Sequence, residues 1–275
     1  MEKEAINFLA GKVWYIGTSG FSFKDWAGTI YPEGIKQSEM FTYYWQHYGF
    51  NALEINFTFY KMPTVRSLVN LLRKSPNRFK FAIKLHGSIT HEGNAENLKD
   101  FLRVTRIYEE ENKLLGYLAQ FPYGFRKRQE NISYLMKLID IFYKSSLTRV
   151  SPLFLEFRHE GWINFIDEIL KNENVYIVIP DLPKLKGMFP NIKIDQSIVY
   201  LRLHGRNENW FTADEKTRYD YFYSDFELRE IISLTLPDNF EKAYVFFNNC
   251  YRGQALKNAL KFRELVGGEK IDIFG

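Results

Sequence analysis

The sequence predicts an α/β protein folded as a single TIM-type (β/α)8 barrel over residues 1–275, with its sixth helix short or irregular. Three observations predict it. Eight short apolar, β-branched runs recur along the chain. Amphipathic helical patterns fill most of the gaps between them. No Pro/Gly/Ser-rich linker, internal repeat or low-complexity segment marks a second domain.

The runs are "VWYIG" (13–17), "ALEIN" (52–56), "FKFAIKL" (79–85), "LGYLAQF" (115–121), "PLFLEFR" (152–158), "VYIVI" (175–179), "IVYLRLH" (198–204) and "AYVFFN" (243–248). The first helix reads "SEMFTYYWQHYG", with Ser38 as its expected N-cap and Gly49 as its stop. Thr64, after Pro63, opens "TVRSLVNLLRKS", which sets Val65, Leu68, Leu71 and Leu72 on one face. Segments 96–111, 129–144, 163–171, 225–235 and 253–265 also carry helical periodicity. The connection 180–197 does not, because Pro180, Pro183 and Pro190 interrupt it.

Composition narrows the class. A net charge of +4 tolerates a polyanionic partner without arguing for one. The one cysteine, Cys250, excludes an intrachain disulfide and a CxxC metal site. It fits a reducing compartment, so a cytoplasmic location is expected. "MEKEAINFLAG" has early acids and no apolar core, unlike a signal peptide. No apolar run approaches the roughly 18 residues that span a bilayer, so no membrane partner is expected.

The strand ends carry the chemistry. Four runs close on two polar residues flanking one apolar residue: Glu54 and Asn56, Lys84 and His86, Glu156 and Arg158, Arg202 and His204. Residues i and i+2 of a strand share a face. In a barrel the intervening apolar residues face the helices and the polar pairs face inward. Asn248 closes the eighth run, and Ser19 and Arg206 lie in adjoining turns. Trp210 and Tyr221 belong to an aromatic loop, 205–224, that fits a lid over a site.

These residue types point to an enzyme with a small anionic ligand. Glu54 and Glu156 suit general acid/base work, and His204 suits proton transfer near neutral pH. Lys84, Arg158 and Arg202 suit a phosphate or carboxylate, Arg through its bidentate fork. Ser19, Asn56, His86, Arg206, Trp210, Tyr221 and Asn248 complete the expected ligand contacts. The same residues permit other readings: a nucleic-acid partner stacked on the aromatics, a non-catalytic ligand barrel, or a polar plug that only fills the barrel end. Glu54, Glu156, Asp181 and histidines would be the ligands of a divalent metal, against which the nearby cations compete. No HExxH, P-loop or GxGxxG is present. The oligomeric state is left open.

"GTSGFSFKDWAGTIYPEG", "LEINFTFYKMP", "FKFAIKLHGSITHE", "LAQFPYGF", "LEFRHEGW", "YLRLHGR" and "FFNNCYRGQALKNA" together resemble the YecE-like family, domain of unknown function 72. The resemblance covers Val13 to Phe262. It implies a TIM-type barrel, similar at fold level to the xylose isomerase and endonuclease IV group, which bind sugars or abasic DNA, often with metals. It supplies no settled activity. Its signature positions include Gly17, Ser19, Trp26, Glu54, Asn56, Lys84, His91, Gln120, Glu156, Arg158, Arg202, His204 and Asn248. Cys250 departs from it, standing where an acidic residue is common.

Overall fold

The computed structural model describes residues 11–145 and 151–267; the expectation for the "MEKEAINFLA" start lies outside them. Eight parallel strands with helices between them form a TIM-type (β/α)8 barrel. They are β1 (Val13–Thr18), β2 (Ala52–Ile55), β3 (Lys80–Lys84), β4 (Leu114–Gln120), β5 (Leu153–Glu156), β6 (Val175–Asp181), β7 (Ile198–Leu203) and β8 (Lys242–Phe247), in the order β1-β8-β7-β6-β5-β4-β3-β2. Among the described residues, no helix is long and apolar enough to cross a membrane.

The strands end earlier than their apolar runs suggest. β2 stops at Ile55, because Asn56 turns helical (φ −103°, ψ −21°) and starts the one-turn helix Phe57–Tyr60. β5 stops at Glu156, before Phe157 and Arg158. β6 instead runs on through Pro180 to Asp181. No helix lies between β6 and β7, where Pro183 and Pro190 break the chain.

Helix starts follow their caps. Thr64 accepts from the backbone of Ser67 and opens the helix Val65–Lys74, which buries Leu68, Leu71 and Leu72. Each buried leucine stabilises the fold by ~1.5–3 kcal/mol. Val65, expected on that face, is exposed. Ser38 is not the N-cap of the first long helix. Gln37–Tyr48 starts two residues earlier, with Lys36 at the N-cap and Glu39 accepting the Lys36 N–H from inside the first turn. Gly49 ends it in the left-handed region, as expected. Segment 96–111 is two helices, Asn97–Thr105 and Ile107–Glu110.

The described residues group into two compact units. One runs up to Leu53 and takes in Ile179–Leu185 and the chain from Pro190; the other is Glu54–Val178 with Lys186–Phe189. Within the first, the two ends of the strand order are tied together. The Asn51 side chain accepts from the Ile16 N–H and donates to the Trp14 carbonyl, copying a strand ladder. The Tyr44 hydroxyl accepts from the Thr18 N–H and donates to the Ala52 carbonyl. Gly17 makes this approach feasible, since a Cβ there would stand 2.1 Å from the Ala52 oxygen.

Gly17→Ala is therefore expected to cost about 3 kcal/mol, the upper end of ordinary overpacking, since backbone on both sides cannot yield. Gly124→Ala, whose Cβ would meet nothing within 4 Å, is the neutral control. Urea unfolding of both variants checks this, and equal stabilities would contradict it.

Candidate functional site at the strand ends

The first member of each polar pair is a strand residue taken out of water. Relative exposure is 0% for Glu54, 9% for Lys84, 0% for Glu156 and 1% for Arg202. The second members lie beyond the strands. Arg158 and His204 are buried there, while Asn56 and His86 are half-buried.

In the unit Glu54–Val178, the ends of β2 to β5 carry one cluster. β4 and β5 pair Gln120 with Glu156, and β3 and β4 pair Lys84 with Leu118. The Thr58 hydroxyl joins the carbonyls of Ile55 and Lys84, 3.2 and 2.6 Å away. Arg158 Nε lies 2.7 Å from Glu156 Oε1, with both side chains buried. The Lys84 ammonium sits 4.2 Å from the centre of the Phe59 ring. Asn56 Oδ1 is buried and accepts no hydrogen bond among the described residues.

His86 serves the backbone. Its Nδ1 accepts from the Ser88 N–H at 3.2 Å and lies 2.8 Å from Ser88 Oγ, capping the turn Gly87–Thr90. That turn ends on His91, a residue the strand-end pattern does not single out. The His91 ring packs edge-on against Phe59 at 4.8 Å, and its Nδ1 lies 2.9 Å from Thr90 Oγ1. Desolvation, then the charges of Lys84 and Arg158, push its pKa down to about 4.

In the other unit, Ser19, His204 and Asn248 are each the first residue past a strand. Ser19 N–H donates to the Phe247 carbonyl, and Asn248 N–H to the Leu203 carbonyl. Asn248 Nδ2 meets His204 Nδ1 at 2.9 Å, and His204 N–H donates to the Asp181 carbonyl. Trp210 and Tyr219 pack around the His204 ring at 6.1 and 6.4 Å. Ser19 Oγ is buried without a hydrogen-bond partner among the described residues. The Cys250 thiol points to the carbonyls of Ser19 and Phe247.

Arg206 and Tyr221 are engaged elsewhere. Arg206 makes a fork to Asp181, with Nε and Nη2 at 2.9–3.1 Å, and Nη1 reaches Glu230 at 2.8 Å. Asp181 also accepts from Asn191 and Tyr223, and the Tyr223 hydroxyl accepts from the Gly205 N–H. Burial and the Asp181 charge drive the Tyr223 pKa far up, so it stays a donor. The Tyr221 hydroxyl donates to Glu227. Of the aromatics in the loops after β1 and β7, Trp26, Tyr31, Trp210 and Tyr223 are core, while Phe211 and Phe222 are exposed. Among the described residues, no group of three His, Cys, Asp or Glu side chains is arranged to hold a metal.

Comparison with known proteins bears on the family and the fold. The model of a family described as "Protein of unknown function DUF72" matches residues 15–273. UPF0759 protein YunF of Bacillus subtilis is 28% identical over 276 residues, covering 92% of this chain and 94% of its own. A solved DUF72 family protein from Thermotoga maritima is 42% identical with a TM-score of 0.82, over 92% of this chain and 99% of that one. One from Enterococcus faecalis, 23% identical with a TM-score of 0.76, covers 94% of this chain and 98% of its own and shares the fold.

Two outcomes follow from these contacts. Asp181→Asn leaves the half-buried Arg206 guanidinium short of its main counter-charge and is expected to destabilise by ~1.5–3 kcal/mol in chemical unfolding. His91 has its folded pKa below the ordinary 6.5. Its neutral form therefore favours the fold fully above pH 6.5, and that contribution fades as pH falls toward about 4. His91→Gln should flatten the stability profile in that window, and an unchanged slope would contradict the shift.

Proposed function

The chain belongs to the family of proteins of unknown function DUF72, and from that premise we propose that it is an enzyme binding a small anionic, sugar-phosphate-like substrate at the carboxyl ends of its strands. The observation that carries this reading is the burial of two cations, Lys84 and Arg158, at the ends of β3 and β5. Barrel enzymes bind their substrates at this end of the strands. A desolvated cation attracts an anion far more strongly than one in water does. Glu54, buried on β2, is assigned the acid/base role. Glu156 keeps Arg158 in place, 2.7 Å from its Nε. In the other unit His204 is the proton-handling group. Asn248 fixes its Nδ1, and Ser19 and Arg202 supply donors. Arg206, His86 and Tyr221 are assigned to the scaffold, since their polar atoms already hold Asp181, Ser88 and Glu227.

Exposed aromatics favour a second reading, a nucleic-acid partner. Tyr60 is 72% exposed and Phe57 41%, in the turn after β2; Phe211 and Phe222 are exposed in the loop after β7. Such rings stack on bases.

A screen of sugar phosphates, phosphomonoesters and abasic DNA, with and without divalent metals, tests both. Glu54→Gln is expected to lower kcat by ~10²–10⁴-fold while the thermal melt is kept. Glu156→Gln is expected to raise KM through a loosened Arg158. If no substrate class turns over in a way lost in these variants, the enzyme reading fails. DNA or RNA binding that weakens steeply with salt would favour the second reading; binding indifferent to salt would remove it.

A further inference from the structure

His91 stands outside the strand-end pattern, yet it shares a ring with Lys84. β3 ends on Lys84, the chain makes the single turn Gly87–Thr90, and His91 closes it, its N–H bonded to the Gly87 carbonyl at 2.8 Å. Phe59 then touches both groups. The Lys84 ammonium lies over its face and the His91 imidazole against its edge. One imidazole nitrogen is committed, Nδ1 to the Thr90 hydroxyl. Nε2 meets no hydrogen-bonding group among the described residues, and His91 is exposed, so a ligand can reach it.

We propose that His91 completes an anion site with Lys84 and Arg158, its Nε2 donating a hydrogen bond to a tetrahedral dianion of the phosphate type that the two cations hold. The inference rests on the functional reading above and names the charge state of the ligand and a residue that reading lacks. With the Thr90 hydroxyl donating into Nδ1, the neutral ring carries its proton on Nε2 and is a donor before any ligand arrives. In the empty site Lys84 and Arg158 repel a second proton. A bound dianion cancels that repulsion, and the ring takes one proton from solvent on Nδ1. The Thr90 hydroxyl then turns to accept, since it serves as donor or acceptor equally. No covalent bond forms or breaks; in the acidic range where the ring titrates, binding is coupled to proton uptake from water.

Inorganic sulfate is the probe, because it stays dianionic across the range in which His91 titrates. The His91 ring signal of the full chain, assigned with His91→Gln, is followed by NMR from pH 3.5 to 8 with saturating sulfate and with chloride of equal ionic strength. Calorimetry measures sulfate binding in parallel. The expected result is a His91 midpoint near 4 in chloride, raised by at least about one pH unit in sulfate. Lys84→Met, or Arg158→Gln should that variant fail to fold, is expected to raise the midpoint without sulfate and to abolish the further rise. A midpoint that does not move, while calorimetry records binding lost in those variants, overturns the role of His91 and leaves the anion reading standing. Absence of binding that depends on Lys84 or Arg158 overturns both.

Discussion

A charge withdrawn from water must be matched within a few ångströms, and this constraint organises both compact units. In one, Arg206 and Asp181 form a two-pronged fork buttressed by Tyr223, Asn191 and Glu230. In the other, Glu156 and Arg158 pair at 2.7 Å with both side chains out of solvent. Desolvating an isolated carboxylate or guanidinium costs several kcal/mol, which such pairing must offset. The loops follow from the pairs. Gly205 adopts φ 94°, and a Cβ there would sit 2.6 Å from that of Tyr221. The tight turn after β7 thus brings Arg206 back to Asp181 at the end of β6.

The fold was legible because its signal is repeated. Eight apolar runs, separated by helix-length gaps, leave few architectures, and no single boundary had to be right. The polar ends were legible for the same reason. Glu54, Lys84, Glu156 and Arg202 each follow an alternating run, and each is a buried strand residue. Boundaries read less well. Asn56 extends an apolar alternation on paper, but it turns helical and starts Phe57–Tyr60, where Thr58 can reach two strand-end carbonyls. Ser38 has the better capping side chain, yet Glu39 caps the helix from within, and a reading that ranks residues by type misses this.

Partners distant in sequence were not legible. "HGR" invites reading Arg206 as a ligand group, because its counter-ions Asp181, Glu227 and Glu230 lie 25, 21 and 24 residues away. His86 looks like half of an inward pair until the chain turns after Leu85 and its ring accepts the Ser88 N–H. His91 shows the reverse. It sits on no strand and in no periodic pattern, so only the fold brings it to Phe59 and into the field of Lys84 and Arg158.

The same accounting separates scaffold from site among the polar side chains. Arg206 has Nε, Nη1 and Nη2 all bonded to carboxylates. An arriving anion would have to displace those carboxylates and leave Asp181 buried and unmatched, at a cost of several kcal/mol. Tyr221 and Tyr223 are likewise donors to carboxylates already in place. A cation over an aromatic face is held by ~0.5–2 kcal/mol, a contact an anion can share without displacing the ring. The Lys84 ammonium makes such a contact, 4.2 Å from the centre of the Phe59 ring. Buried oxygens point the same way. Asn56 Oδ1 and Ser19 Oγ, each one step past a strand end, have no hydrogen-bond partner among the described residues. An unmatched buried polar atom costs ~1–3 kcal/mol. At these two atoms the fold forgoes stability, and each lies beside the end of a strand.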